Sequence, residues 1–244
     1  MDERARRLRT WLINNAGVTT EPFGAFMADV ARLADGGHGE ETSRARGYLT
    51  AFSRRRQILA DSTAKLELLK KLEPAVRAAD RTIVFTERQE SAEQAAETFM
   101  VQGLRAGAIH SGINSDTRRI VLSQFAQGAL SVICAPRILD GGIDVPAADF
   151  AIILAASQSR RQMVQRMGRV LRRKSDGRYA RFVIAYVIGT SEDPALGAYG
   201  TFLEDIEEVA HDRRDFNIND SQQKICEFLN GFAWKGPVPR PRMA

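Results

Sequence analysis

Seven cations and no anion fall between Arg160 and Lys174, inside the string Gln165-Arg-Met-Gly-Arg-Val-Leu-Arg172 and its flanks. At helical spacing Gln165, Arg169 and Arg172 stand at i, i+4 and i+7 and share one face. Gly168 beside them lets another surface approach. Two guanidinium groups on one face can grip a terminal phosphate and meet the charge that builds during phosphoryl transfer. A solvated, salt-bridging helix face would show the same composition, but such a face pairs its cations with local carboxylates, and this one has none.

The remaining unusual residues lie in segments that each follow a short apolar run. Thr86-Glu-Arg-Gln follows Thr82–Phe85. His110-Ser-Gly112 stands at the end of the run Ala106–His110. Ala135-Pro-Arg-Ile-Leu-Asp-Gly-Gly-Ile-Asp-Val-Pro146 follows Leu130–Cys134. Ser157-Gln-Ser-Arg-Arg follows Phe150–Leu154. A fifth run spans Phe182–Ile188. Helical patterns over Ser91–Val101, Ser115–Phe125 and Ser159–Leu171 alternate with these runs, which predicts βαβ units and a parallel sheet covered on both faces. Gly103 and Gly128 mark helix ends, and Ser62 and Ser115 helix starts. In an open parallel sheet, ligands gather beyond the carboxyl ends of the strands. Loops of Ser, Thr, Gly and Arg placed there make a phosphate-binding rim.

Helical spacing also appears in residues 1–60, interrupted at Asp35-Gly-Gly-His-Gly39, and one or two acidic helices are expected within 192–231. The tail from Pro237 to Ala244 holds three prolines and reads as extended. The expected domains are therefore a helical extension (1–60), an α/β domain (61–190) and a helical appendage with a proline-rich tail (191–244).

The chain has 244 residues and a formal charge of +5, and 29 of its 35 cations are arginine. The excess is +3 in residues 1–80, +6 in 81–190 and −4 beyond, so it peaks in the α/β region. That balance favours a polyanionic partner. No run approaches the ~18 apolar residues that a membrane-spanning helix needs. No secretory pattern opens the sequence, which suggests a cytoplasmic, nucleoid-associated setting. Cys134 and Cys226 lack CxxC spacing, and His38, His110 and His211 are scattered. No metal site is expected, and the cysteines read as small core residues.

Together these strings resemble the signature motifs of the C-terminal RecA-like domain of superfamily 2 helicases. Gln165–Arg172 matches the QxxGRxxR of motif VI, and Ala135–Pro146, ending Gly142-Ile-Asp-Val-Pro146, matches motif V. Thr82–Glu87 resembles motif IV, and Ile109–Gly112 the turn after the next strand. The resemblance covers residues 60–190. Leu139–Pro146 and Ser159–Gln165 are most similar to the xeroderma pigmentosum group B branch and to DNA-restriction motors. DEAD-box RNA helicases usually carry Thr-Asp where this chain has Pro136-Arg137, which shifts the expected partner toward DNA.

What the resemblance implies is specific. Arg169 and Arg172 would reach the γ-phosphate of ATP across an interdomain cleft, with Gln165 ordering that site. Gly142, Asp144 and Gly168 would serve the nucleotide side. Thr86, Arg88, Ser111, Gly112 and Arg137 would follow a nucleic-acid backbone, and His110 reads as a packed turn residue before a ligand. ATP with Mg²⁺ would be held mainly by a first RecA-like domain, in cis or in trans. The GxxxxGK[ST] loop of that domain has no counterpart here, for no Gly-Lys pair occurs in the chain. The chain is thus expected to be half of an ATP-driven DNA helicase or translocase, inactive by itself, whether in repair or in restriction and defence. The alternative is a non-catalytic nucleic-acid-binding or adaptor module that kept the fold.

Overall fold

The computed structural model describes residues 3–21, 23–60, 62–136, 148–154, 179–190, 192–196, 198–199 and 201–231. The chain divides into two compact units, Met1–Leu59 and Ala60–Ala244.

In the first unit α1 (Glu3–Asn15), α2 (Phe23–Asp35) and α3 (Glu40–Ala60) enclose a core of their own. Leu12, Phe26 and Val30 are fully buried there, with Tyr48 and Phe52 beside them. The apolar stripes at helical spacing explain this directly, since each helix has one face to hide. The break at Asp35–Gly39 is the α2–α3 turn, with Gly37 and Gly39 at positive φ.

The second unit opens with α4 (Thr63–Arg77). There follow β1 (Thr82–Thr86), α5 (Gln89–Val101), β2 (Ala106–Ala108), α6 (Ser115–Ala126), β3 (Val132–Pro136), β4 (Phe150–Ile153) and β5 (Arg181–Ile184). Two helices close the described part, α7 (Thr201–Glu207) and α8 (Gln222–Gly231), after a short 3₁₀ turn at Pro194–Leu196. The five strands run β2-β3-β1-β4-β5, and every pairing is parallel. This is the parallel sheet flanked by helices that the alternation of runs predicts, as expected also from the RecA-like resemblance.

Period-2 alternation divides the strands between two cores. Val84, Val132, Cys134, Phe150 and Ile152 point to the face covered by α4, α5 and α8. Ile83, Phe85, Ile133, Ala151 and Ile153 point to the other, under α6 and α7. Phe99, Phe125 and Phe150 are fully buried, and truncating such a ring costs about 3–5 kcal/mol. Both cysteines are buried in the first of these cores. Burial pushes the Cys134 thiol far above its usual range, and burial likewise raises Cys226. Native protein at pH 8 is expected to resist a thiol reagent at both positions and to react fully in denaturant; rapid native labelling of Cys134 would contradict this core. A raised thiol pKa favours the folded state fully below the ordinary thiol range. That contribution fades as pH climbs above it, so stability falls toward alkaline pH.

Several boundaries differ from the sequence reading, each for a hydrogen-bonding reason. The strand expected at Leu130–Cys134 begins two residues later, because the Leu130 amide donates to the Gln124 carbonyl and ends α6 instead. The strand expected to reach Ile188 stops at Ile184. Among the described residues β5 lies at the edge of the sheet beside β4, which ends at Ile153. Ser115 is the first helical residue and not the cap: Asn114 Oδ1 accepts from the Thr117 amide at 2.7 Å. Ser62 holds the N-cap position of α4 but makes no side-chain cap bond. Gly103 and Gly128 sit at φ +78°, just past Gln102 and Gln127, the left-handed positions that end α5 and α6.

At the amino edge of the sheet the polar groups satisfy one another. Asp149, 2% exposed, accepts from the Arg81 amide and from Arg181, both at 2.9 Å. Arg181 also donates to Asn230 of α8 at 2.9 Å. Arg81 reaches the carbonyls of Phe125 and Ala126, the orphan acceptors at the end of α6.

Candidate nucleic-acid interface at the carboxyl edge of the sheet

The parallel order places the ends of β1, β2, β3 and β4 along one edge. Register then decides which loops adjoin. Thr86 pairs with Pro136, so the chain leaves β3 directly beside the turn Thr86–Gln89. Leu154, at the end of β4, donates its amide to the Phe85 carbonyl on the other side of β1. Arg137, Gly142 and Asp144 belong to the segment that leaves β3, and Gln165, Gly168, Arg169 and Arg172 to the one that leaves β4. These seven lie outside the described residues.

The four other site residues, with His110, form one cluster. Thr86 is buried, and its hydroxyl donates to the Arg88 carbonyl at 3.1 Å, bracing the turn into α5. Arg88 occupies the N-cap of α5 with no side-chain cap bond. Its Nε is 3.2 Å from Glu90. The Glu90 carboxyl is held below its usual range, first by its own backbone amide and then, against some burial, by Arg88. Across the gap, Gln89 Nε2 donates to Ser111 Oγ at 2.7 Å. Gly112 lies under that bridge. A Cβ there would stand 2.7 Å from Gln89 Oε1 and 3.0 Å from His110 Nδ1, so a larger residue would push the Gln89 amide aside and crowd the His110 ring.

His110 is a packed turn residue. Its ring is 7% exposed. The Gly112 amide donates to Nδ1 at 3.2 Å, and Nε2 lies 3.0 Å from a Glu93 oxygen. Arg118 of α6 donates to the His110 carbonyl at 3.1 Å, tying the loop to the next helix. Gln89 and Glu93 are the site residues that sequence reasoning passed over. Gln89 stood in the string Thr86-Glu-Arg-Gln, but only the strand order, which sets β1 and β2 on either side of β3, brings it to Ser111. Arg88, Ser111 and the amino ends of α5 and α6 thus rim one edge, an arrangement able to hold anionic oxygens without reading bases.

A second polar assembly stands at the end of β4. Lys65, from the first turn of α4, donates to the Leu154 carbonyl at 2.5 Å and to both oxygens of Glu192 at 2.8 Å. Both side chains are more than nine-tenths buried. Nothing in the spacing of Lys65 and Glu192 signals this pair.

Comparison with known proteins bears on the fold. Residues 64–174 match the helicase conserved C-terminal domain family. This stretch is similar to the C-terminal domains of superfamily 2 helicases, and its fold is RecA-like. Within that class the chain is 32% identical over 130 residues to the DNA 3'-5' translocase XPB2 of Sulfurisphaera tokodaii, covering 53% of this chain and 28% of that protein. It is 28% identical over 120 residues to the mouse ATP-dependent RNA helicase DDX54, covering 49% of this chain and 14% of that one. The chain thus spans well under a third of these curated relatives. The solved C-terminal domain of the DEAD-box protein Dbp5 shares the fold, with a TM-score of 0.54 at 14% identity, covering 70% of this chain and 92% of that one. No helix among the described residues is long and apolar enough to cross a membrane.

Proposed function

We propose that this chain supplies the second motor domain of an ATP-dependent superfamily 2 DNA helicase or translocase. The observation that carries the proposal is the Arg88–Gln89–Ser111–Gly112 cluster at the carboxyl edge of β1 and β2. The Arg137 and Gln165–Arg172 segments leave the adjoining strands at that same edge. Arg88, Ser111, the Gly112 backbone and Arg137 take the phosphates of one strand, while Thr86 and His110 hold the two loops in shape. ATP bound between this domain and a Walker A domain would supply the free energy of phosphoryl transfer. Gln165, Arg169, Arg172, Gly142, Asp144 and Gly168 are the residues assigned to it. DNA is favoured over RNA because Pro136-Arg137 replaces the Thr-Asp of the DEAD-box pattern, and because the 32% identical relative is a DNA translocase.

Binding should be modest and indifferent to sequence, since the contacts reach phosphates and not base edges. With three or four phosphates neutralised, the log–log salt slope on single strands is about −2 to −3. Fluorescence anisotropy over a salt series reads it, and Arg88→Gln should make the slope shallower by about 0.7. A salt-independent affinity, or a slope unmoved by Arg88→Gln, would remove the strand-tracking role.

A further inference from the structure

The strand order sets β3 between β1 and β2, so the ends of β1 and β2 stand two strand spacings apart, about 10 Å. One side chain joins the turns that follow them. Gln89, the first residue of α5, donates through Nε2 to Ser111 Oγ at 2.7 Å. Both ends of this bridge are fixed. On the Gln89 side the Arg88 carbonyl accepts from Thr86 Oγ1 and from the Ala92 amide, each at 3.1 Å, which holds the turn into the helix. On the Ser111 side the His110 carbonyl accepts from Arg118 at 3.1 Å, and the His110 ring takes the Gly112 amide at 3.2 Å.

The bridge also has a direction. A hydroxyl has one proton to donate and two lone pairs to accept with. The Gln89 amide fills one lone pair, so the Ser111 proton cannot point back at Gln89. The other end of that amide, Oε1, is turned toward Gly112, where a Cβ would meet it at 2.7 Å. Ser111 is exposed, and among the described residues nothing accepts its proton. Accepting one hydrogen bond also polarises the hydroxyl as the donor of the next. Ser111 is thus prepared as a donor toward solvent, next to the Arg88 turn.

We propose that Gln89 is a positioning residue for nucleic-acid binding: its amide holds Ser111 with the hydroxyl proton facing outward, ready for a backbone phosphate oxygen. Such an oxygen carries lone pairs and no proton, so it is met by a donor and not by an acceptor. The same bridge holds the Arg88 turn and the Ser111 turn at one separation, so that a cation and a hydroxyl meet one strand together. The proposal rests on the nucleic-acid reading of this edge and adds the residue that sets the polarity of one contact.

Anisotropy of the whole chain with a labelled dT20 oligonucleotide at low salt tests it. Ser111→Ala should weaken binding about fivefold, and Gln89→Met, which keeps the length without the amide, about threefold, the scale of one hydrogen bond. The double variant should be no weaker than Ser111→Ala, because Gln89 acts through Ser111. Neither change removes a cation, so both should keep the wild-type salt slope, unlike Arg88→Gln. Gln94→Met alters an exposed glutamine of the same helix and should leave the affinity within about twofold. Unchanged binding in Gln89→Met, where Ser111→Ala weakens it, would overturn the positioning role and keep the nucleic-acid reading. Tighter binding in Gln89→Met would do the same, since it would mean that Gln89 takes the Ser111 proton. So would a double variant weaker by the product of the two single losses, since Gln89 would then make a contact of its own. Urea unfolding should place Gln89→Met with the wild type; a midpoint that falls with the affinity would make the bridge a brace of the fold alone. No loss in either Ser111→Ala or Arg88→Gln would sink the nucleic-acid reading itself, and this role with it.

Discussion

With a Walker A domain supplied in cis or in trans, Arg172→Ala should lower DNA-stimulated ATP hydrolysis about 10³–10⁵-fold, or roughly 4–7 kcal/mol of transition-state stabilisation. DNA binding should change little. In the expected helix Arg172 shares the face of Gln165 and Arg169, where it can meet charge building on the γ-phosphoryl oxygens. Lysine should rescue poorly, because one ammonium cannot reproduce the guanidinium fork. Arg173 would point about 100° away around that helix and serves as the internal control. Its alanine variant should keep most activity. Equal losses from the two variants, or no loss from either, would mean that this face does not meet ATP. The isolated chain should release no phosphate with or without DNA.

The second large effect is on stability. Lys65→Met should destabilise the second unit by about 3–5 kcal/mol, because it strands the Glu192 carboxylate where no water can replace the ammonium. It also leaves the Leu154 carbonyl without the donor it has at 2.5 Å. The double variant Lys65→Met/Glu192→Gln should recover much of that loss, since a buried amide is far easier to accommodate than a buried charge. Urea unfolding of the wild type, both single variants and the double variant gives the coupling directly. Strictly additive effects would show that the two side chains do not stabilise each other. The pair stands where the chain leaves β4 toward Gln165–Arg172. The same variants, assayed with a Walker A domain under conditions where all are folded, report whether the exit of β4 must be held for hydrolysis.

Much of the fold was legible without coordinates, for a definite reason. The five apolar runs are short and bounded by Gly, Pro or capping residues, and the helices between them have their own period, so only a parallel sheet covered on both faces can hide both. The sheet edge proposed to carry function followed from the same rule, because all the unusual loops come after strands. Strand limits were less legible. Whether Leu130 begins a strand depends on the Gln124 carbonyl claiming its amide, and whether β5 runs past Ile184 depends on the length of β4 beside it. Such limits belong to partners, not to local propensity.

Sequence alone determined the candidates for chemistry, arginines at helical spacing and a glycine in the turn after β2, and it marked the cysteines as core residues. It also determined the alternation that puts the loops following the strands at one edge. Only the tertiary structure decided which of them meet. The strand order β2-β3-β1-β4-β5 puts His110 and Ser111 within reach of Gln89 and Glu93, though some twenty positions separate them. The fold brings Lys65 to Glu192 across 127 positions. In the first unit it sets Arg9 over the Phe26 ring, 17 positions away in the chain. Such pairings reflect the packing of whole elements, whose energy is summed over many contacts, and no single residue's neighbours along the chain record it.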